Sequence, residues 1–333
     1  MQALATLVLA RRDVLALLDP DRCADAVEAA LRAHAEGRTL PPGVLATPAA
    51  DGGFHVKAAG LRVGGGRAYY AAKVNANFPH NPARRALPTI QGVVALLDAD
   101  DGAVLALLDS GAITALRTAG ATAVAARHLA RADARSVAVI GCGAQGHAQL
   151  RALARVRPVA HVRAHDRDPA AARAFADAMT RELGVPVEPA PDPRAAAARA
   201  DVVVTCTTSC RALLDAGDVA PGAFVAAVGA DAPEKQELAP ALLAASAVVV
   251  DVLEQCAAIG DLHHALAAGV VRREDVRAEL ADVVSGRVRG RRSDDEVVVF
   301  DSTGTALEDV AAAAVVYERA RALGRGVEIP LGS

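Results

Sequence analysis

Val137-Ala138-Val139-Ile140-Gly141-Cys142-Gly143-Ala144-Gln145-Gly146 is the stretch on which the fold turns. Four consecutive apolar residues read as a buried strand, and they run directly into Gly-x-Gly-x-x-Gly and a helical stretch. The glycine pattern alone is common. Here it follows a strand, opens a helix, and is followed by an acidic residue, Asp166, at the end of the next strand. Gly141 permits the tight turn, Gly143 lets the backbone approach a pyrophosphate, and Gly146 lets the helix pack close to the sheet. The pyrophosphate would sit at the positive end of that helix. Asp166 can accept hydrogen bonds from both hydroxyls of a ribose and would repel a 2′-phosphate, which favours NAD over NADP. Arg167 beside it can serve a phosphate, so NADP is not excluded. The competing reading is a glycine-rich turn of another α/β protein with a chance aspartate.

Outward from this motif, strands and helices alternate from Ala132 onward. Strands are expected at Ser136 to Ile140, His161 to His165, Asp201 to Cys206, Phe224 to Val228, Val248 to Asp251 and Val297 to Phe300. Continuous apolar strands joined by helical crossovers indicate a parallel sheet covered on both faces. Asp301-Ser302-Thr303-Gly304 then leads into an alanine-rich helix to about Leu323. The first third of the chain is different. Asp19-Pro20 is an N-cap with proline at the first helical position, opening a helix to about Ala35 that Gly37 ends. Strand-like segments follow at Phe54 to Ala58, Ala68 to Val74, Val93 to Leu97 and Val104 to Leu108, the last two joined by an Asp100-Asp101-Gly102 hairpin turn. Ser110 to about Ala130 reads as a long helix.

The 333 residues suffice for two linked cores, and 53% hydrophobic with 23% charged residues is globular composition. Three Tyr, five Phe, no Trp and a net charge of −3 argue against nucleic-acid binding. The five cysteines contain no C-x-x-C pair, and Cys206 and Cys210 have no nearby His or Cys to complete a zinc set, so no metal site is expected. Met1 to Leu9 has no basic leader, and no uncharged run reaches the ~20 residues of a membrane helix. A cytoplasmic enzyme without a membrane partner is the economical expectation.

Three residues outside the glycine motif could carry chemistry. Lys73 ends the otherwise uncharged strand beginning at Ala68, where Tyr69, Ala71, Lys73 and Asn75 share a face; it reads either as a site residue or as an edge-strand lysine. Arg117 sits among small neighbours that leave room for a bidentate ligand carboxylate, or on a solvated helix face. Asp231 follows a strand's carboxyl end, where open α/β sheets bind ligands; it reads as a general acid or base, or as a turn residue.

Taken together, the segments Ala72-Lys73-Val74-Asn75, Leu87-Pro88-Thr89-Ile90-Gln91-Gly92, Leu107-Leu108-Asp109, Ala115-Leu116-Arg117-Thr118, Ile140 to Gln145, Val228 to Lys235 and Phe300 to Gly304 resemble the ornithine cyclodeaminase and mu-crystallin family. The resemblance runs from about Leu40 to Ala322. It implies a Rossmann-type doubly wound parallel sheet (residues 125–303) inserted into a smaller α+β substrate and dimerisation domain (residues 1–124 with 304–333), and a homodimer. It also implies that Lys73 contacts the substrate carboxylate and polarises the reacting centre, that Asp231 is the acid/base, and that Arg117 holds the carboxylate. Thr89, Ala144, Gln145, Asp166, Thr207, Val228, Lys235 and Ser302 match positions that line the dinucleotide site.

The match has departures. Where the family usually has a carboxylate-binding Arg after Pro41-Pro42, this chain has Gly43; Lys57 either restores that charge from a neighbouring strand or is an exposed strand lysine. His55 falls where cyclodeaminases carry an acidic residue, which argues against ornithine. Gly229 to Leu238 looks closer to the archaeal alanine dehydrogenases. The expected activity is NAD-dependent redox chemistry at the Cα–N bond of an amino or imino acid. The alternatives are cyclodeamination with catalytic NAD and a mu-crystallin-like binding role without turnover.

Overall fold

The structure, a computed structural model, describes residues 5–62 and 66–331, so the first four residues of the Met1–Leu9 run lie outside the described residues. The chain forms two units, Met1–Arg117 with Thr305–Ser333, and Thr118–Gly304.

The first unit begins with β1 (Thr6–Leu9), α1 (Arg11–Leu17) and α2 (Pro20–Ala35). The Asp19 carboxylate accepts from the Arg22 N–H at 2.9 Å, so α2 starts where its N-cap and proline require. Next come β2 (Thr39–Ala49), β3 (Gly52–Arg62), β4 (Ala68–Asn77), α3 (Asn81–Arg85), β5 (Ile90–Asp98), β6 (Val104–Asp109) and α4 (Ser110–Leu129). The β5–β6 turn closes through a Gly102 N–H to Asp98 carbonyl bond of 2.9 Å, with Gly102 at φ +80°. The division between the units falls after Arg117, seven residues before the expected 124/125 seam. α4 runs through both positions unbroken, and nothing in its local sequence marks a boundary.

The second unit contains β7 (Ser136–Ile140), α5 (Ala144–Val156), β8 (His161–His165), α6 (Pro169–Leu183), β9 (Val187–Pro189), α7 (Pro193–Ala197), β10 (Val202–Thr205), β11 (Cys210–Leu214) and β12 (Phe224–Ala227). It continues with β13 (Gln236–Leu238), α8 (Pro240–Ala244), β14 (Ala247–Val250), α9 (Leu253–Ile259), α10 (Asp261–Ala267), β15 (Ala278–Glu279), α11 (Leu280–Val284) and β16 (Val298–Asp301). Its main sheet has the order β15-β14-β16-β12-β10-β7-β8-β9, and every pairing is parallel. From β7 the chain first builds outward through β8 and β9, then returns to build the other way from β10. The crevice beyond the carboxyl ends of β7 and β10 is therefore the switch point where such sheets take ligands. Val203, Val225, Val250, Val299 and Leu262 belong to its core.

The chain re-enters the first unit as α12 (Ala306–Leu323) and β17 (Val327–Ile329). The sheet there has the order β17-β1-β6-β5-β4-β3-β2, antiparallel except for the parallel β1–β6 pair. β1, β2 and β17 were not anticipated from sequence. β2 carries Pro41-Pro42, which an edge strand tolerates at a register shift between Leu40 and Gly43. One sheet face packs Leu96, Leu105 and Leu108 with Val14 and Leu18 and with Val310 and Val316 of α12. On the other face Leu45, Val56, Val74 and Val93 pair in register across four strands, and Leu45, Val74 and Val93 are exposed.

Candidate active site

β4 is interior to its sheet, so Lys73 is not an edge-strand residue. Its side chain is only 4% exposed, and the Nζ donates to Asp309 Oδ1 at 2.9 Å with Oδ2 at 2.7 Å. Asp309 and its neighbour Glu308 stand in the first turn of α12, N-capped by the Thr305 hydroxyl. Arg117, equally buried on α4, donates from Nε to Asp309 Oδ1 at 3.0 Å and from Nη1 to Glu308 Oε2 at 2.8 Å. It does not lie on a solvated helix face.

The electrostatics of this cluster are asymmetric. Burial, with Arg117 and Lys57 nearby, lowers Lys73 to about 8 against the pull of Asp309. For Asp309 burial acts upward, but Lys73 and Arg117 outweigh it and hold the carboxyl below its ordinary range. Lys57 lies directly opposite Lys73 across β3 and β4, and His55 directly opposite Asn75, so all four share one sheet face. Asn75 Oδ1 on this face is buried without a hydrogen-bond partner among the described residues.

In the second unit the glycine motif adopts the geometry its residues suggest. Gly141 has φ +107°, and a Cβ there would sit 2.8 Å from the Cys206 carbonyl oxygen; a Cβ on Gly146 would sit 2.2 Å from the Gly141 carbonyl oxygen. Gly143 N-caps α5 without a side-chain partner, and nothing would meet a Cβ there, so the helix start is open to a ligand. Beside it lies a cavity of about 460 Å³ lined by Gly141, Gly143, Asp166, Arg167, Thr207 and Thr208 among others. Asp166 accepts from the Cys142 N–H at 2.9 Å and the Asp168 N–H at 3.0 Å, one to each oxygen. Each oxygen keeps a second acceptor position for a ribose hydroxyl. Open N–H groups, a close-approach glycine and a carboxylate at the far end fit a dinucleotide.

Past β12, the Val228 N–H donates to the Thr205 carbonyl, and Asp231 stands half-exposed in an ion pair with Lys235. Behind these loops runs a series of buried carboxylates bonded to backbone. Glu237 accepts from the Thr207 and Gly229 N–H groups. Asp261 accepts from Glu237 and Leu238, Asp301 from Asp261 and Leu262, and Asp251 from Thr303 and Gly304. The Ser302 hydroxyl donates to Asp251 at 3.2 Å.

A model of the ornithine cyclodeaminase/mu-crystallin family matches residues 4–324. The chain belongs to this family. Alanine dehydrogenase of Archaeoglobus fulgidus is 37% identical over 97% of this chain and 98% of its own length. Iminosuccinate reductase of Paracoccus denitrificans is 36% identical over 98% of this chain and 100% of its own. The solved structure of an archaeal alanine dehydrogenase dimer with bound NAD superposes with a TM-score of 0.92 at 36% identity, covering 98% of this chain and 99% of that one.

Of the site residues expected from the sequence, Lys57, Lys73, Asn75, Thr89 and Arg117 belong to the first unit. Ala144, Gln145, Asp166, Arg167, Thr207, Val228, Asp231, Lys235 and Ser302 belong to the second. Gly141, Gly143, Asp166, Arg167 and Thr207 line one cavity. Glu308, Asp309, Glu237 and Asp261 were not singled out from sequence. Acidic residues in a helix's first turn are ordinary dipole partners, and Thr305-x-x-Glu308 reads as a capping box. Its spacing held the signal for a helix start, and none for an ion-pair network.

Proposed function

We propose that the protein is an NAD-dependent oxidoreductase acting at the Cα–N bond of an α-amino acid or of a cyclic or acyclic imino acid, as a dehydrogenase or imine reductase. The buried cluster of the first unit carries this reading. Lys73 and Arg117, both buried, meet Glu308 and Asp309 there, and the partly buried Lys57 adds a third cation on the same sheet face, a setting suited to one substrate carboxylate. Arg117 and Lys73, with Lys57 beside them, hold that carboxylate, and Asn75 Oδ1 supplies an acceptor for a substrate ammonium or iminium N–H.

A bound nicotinamide supplies a hydride acceptor for an amino acid or a hydride donor for an imine. Lys73, lowered to about 8, keeps its proton at neutral pH while the carboxylate is bound and polarises the reacting carbon–nitrogen bond. Asp231 takes a proton from the water that hydrolyses the imine, and returns one in the reductive direction. Asp166 at the ribose end of the cradle favours NAD over NADP. The redox chemistry named for the two relatives above is of this kind.

Cyclodeamination of a diamino acid is the second reading. Lys57 places a cation on the face that would meet a distal ammonium, and His55 on the same face supplies no negative charge to offset it. Two like charges within ~5 Å repel by about 1 kcal/mol even at high effective dielectric. The exposed row Leu45, Val74 and Val93, and the dimeric archaeal relative, support a homodimer. All five cysteines, Cys23, Cys142, Cys206, Cys210 and Cys256, are free thiols, which supports a reducing cytoplasmic setting.

The deciding experiment incubates the protein with NAD+ and a panel of amino acids, following NADH and ammonia together. NADH formed in step with ammonia is the expected result, with neutral or acidic amino acids ahead of ornithine and lysine. Ammonia from ornithine with no NADH accumulating and proline as product would overturn it in favour of cyclodeamination. NAD binding without turnover of any amino or imino acid would indicate a binding protein.

A further inference from the structure

Glu237 is fully buried on β13, and its two oxygens face in different directions. Oε1 accepts from the N–H of Thr207, in the loop after β10, and Oε2 accepts from the N–H of Gly229, in the loop after β12, at 2.8 Å. These strands are adjacent and parallel, so one carboxylate ties together two neighbouring loops at the carboxyl edge of the sheet. The fit is close. A Cβ on Gly229 would lie 2.5 Å from the Glu237 carboxylate, which explains a glycine here without any need for a positive φ. Thr207 also lines the cavity that fits a dinucleotide, and its hydroxyl accepts from the Ser209 N–H, so the loop that Glu237 holds forms a cavity wall.

We propose that Glu237 is a positioning residue for the dinucleotide: its ionised carboxylate is the strut that holds the Thr207 and Gly229 loops in their cofactor-binding form. This rests on the reading of the cradle as an NAD site. An ionised carboxylate accepts from both N–H groups with charge on both oxygens; protonation makes the oxygen that carries the hydrogen a much weaker acceptor and so loosens one of the two anchors. Burial, with Asp261 nearby, raises Glu237 to about 7, within the range where the strut would be tested in solution. Around it stand Asp261 on α10 and Cys206 after β10, with Lys235, Asp231 and His264 on the adjoining segments. His165, Asp166 and Arg167 line the cavity beside the Thr207 loop.

The test measures NADH affinity by fluorescence from pH 8.5 to 6 for the wild type and Glu237→Gln, and hydrogen exchange at Thr207 and Gly229 in the cofactor-free proteins. Wild-type affinity should weaken about tenfold as the binding-competent fraction falls. Glu237→Gln should bind weakly with no such slope, and its Thr207 or Gly229 amide should exchange at least about tenfold faster. A wild-type profile that is flat, a variant that keeps the wild-type slope, or unchanged exchange at both amides would each overturn the proposal. If the variant fails to fold, the wild-type profile still decides. If NADH binds at no pH, the cofactor reading fails, while the exchange comparison still judges the strut.

Discussion

Asp309→Asn separates the electrostatic role of the buried cluster from its shape. The amide keeps the size of the carboxylate and one acceptor oxygen, but removes the charge that Lys73 meets at 2.7–2.9 Å and Arg117 at 3.0 Å. Asp309 and Lys73 are each less than 5% exposed, so water cannot take the lost partner's place. Breaking a buried pair by removing one member costs about 3–5 kcal/mol. Part of that cost is recovered when Lys73 sheds its proton, because Asp309 is what pulls Lys73 upward against burial, Arg117 and Lys57.

Two measurements follow. The three tyrosines, Tyr69, Tyr70 and Tyr317, all lie in the first unit, and there is no tryptophan, so tyrosine fluorescence reports that unit's unfolding in urea. The variant should be destabilised by about 3 kcal/mol or more at pH 7 and by less at pH 9, where wild-type Lys73 is already largely neutral. The sign is set by depression of a lysine: the folded state binds fewer protons than the unfolded state between about 8 and the ordinary value of 10.5. Wild-type stability therefore gains from Lys73 as pH rises through that window, and its penalty is fully present below it. Activity should respond too. If carboxylate binding needs protonated Lys73, wild-type kcat/KM falls as pH rises past about 8, and in Asp309→Asn that fall should move acidward by at least about one pH unit. A fall that stays in place, with stability unchanged at pH 7, would refute the claim that Asp309 sets the charge of Lys73.

Asp231→Asn should lower turnover at least ~10²-fold with little change in NAD affinity, read by parallel kinetics and NADH titration; full activity would remove Asp231 from the chemistry. NAD should bind more tightly than NADP by roughly 2–3 kcal/mol or more, because Asp166 favours ribose hydroxyls and repels a 2′-phosphate. Equal affinities in calorimetric titration would mean that Arg167 outweighs it. Val74→Lys places a charge in the exposed apolar row and should yield a monomer by light scattering; an unchanged dimer would locate the contact elsewhere.

The sequence by itself determined the local structure wherever a period or a special backbone position was at stake. Four apolar residues followed by glycines at 141, 143 and 146 read as a strand, a tight turn and a close-packed helix, and β7 ends and α5 begins there. Asp19-Pro20 and Gly102 likewise settled a helix start and a hairpin turn through their own caps and φ values. Order along the chain also made family membership legible, because many short segments had to match in sequence. Tertiary structure alone decided the partnerships. Lys73 and Asp309 are 236 residues apart, and nothing local distinguishes a helix-start aspartate that faces solvent from one that neutralises two buried cations. The same holds for Glu237, an ordinary acidic residue in sequence, whose role appears only when two loops from adjacent strands bring their N–H groups to one carboxylate. The two edge strands, the proline-bearing β2 and β17, escaped for a related reason: strands of this kind exist because a sheet edge is there to receive them.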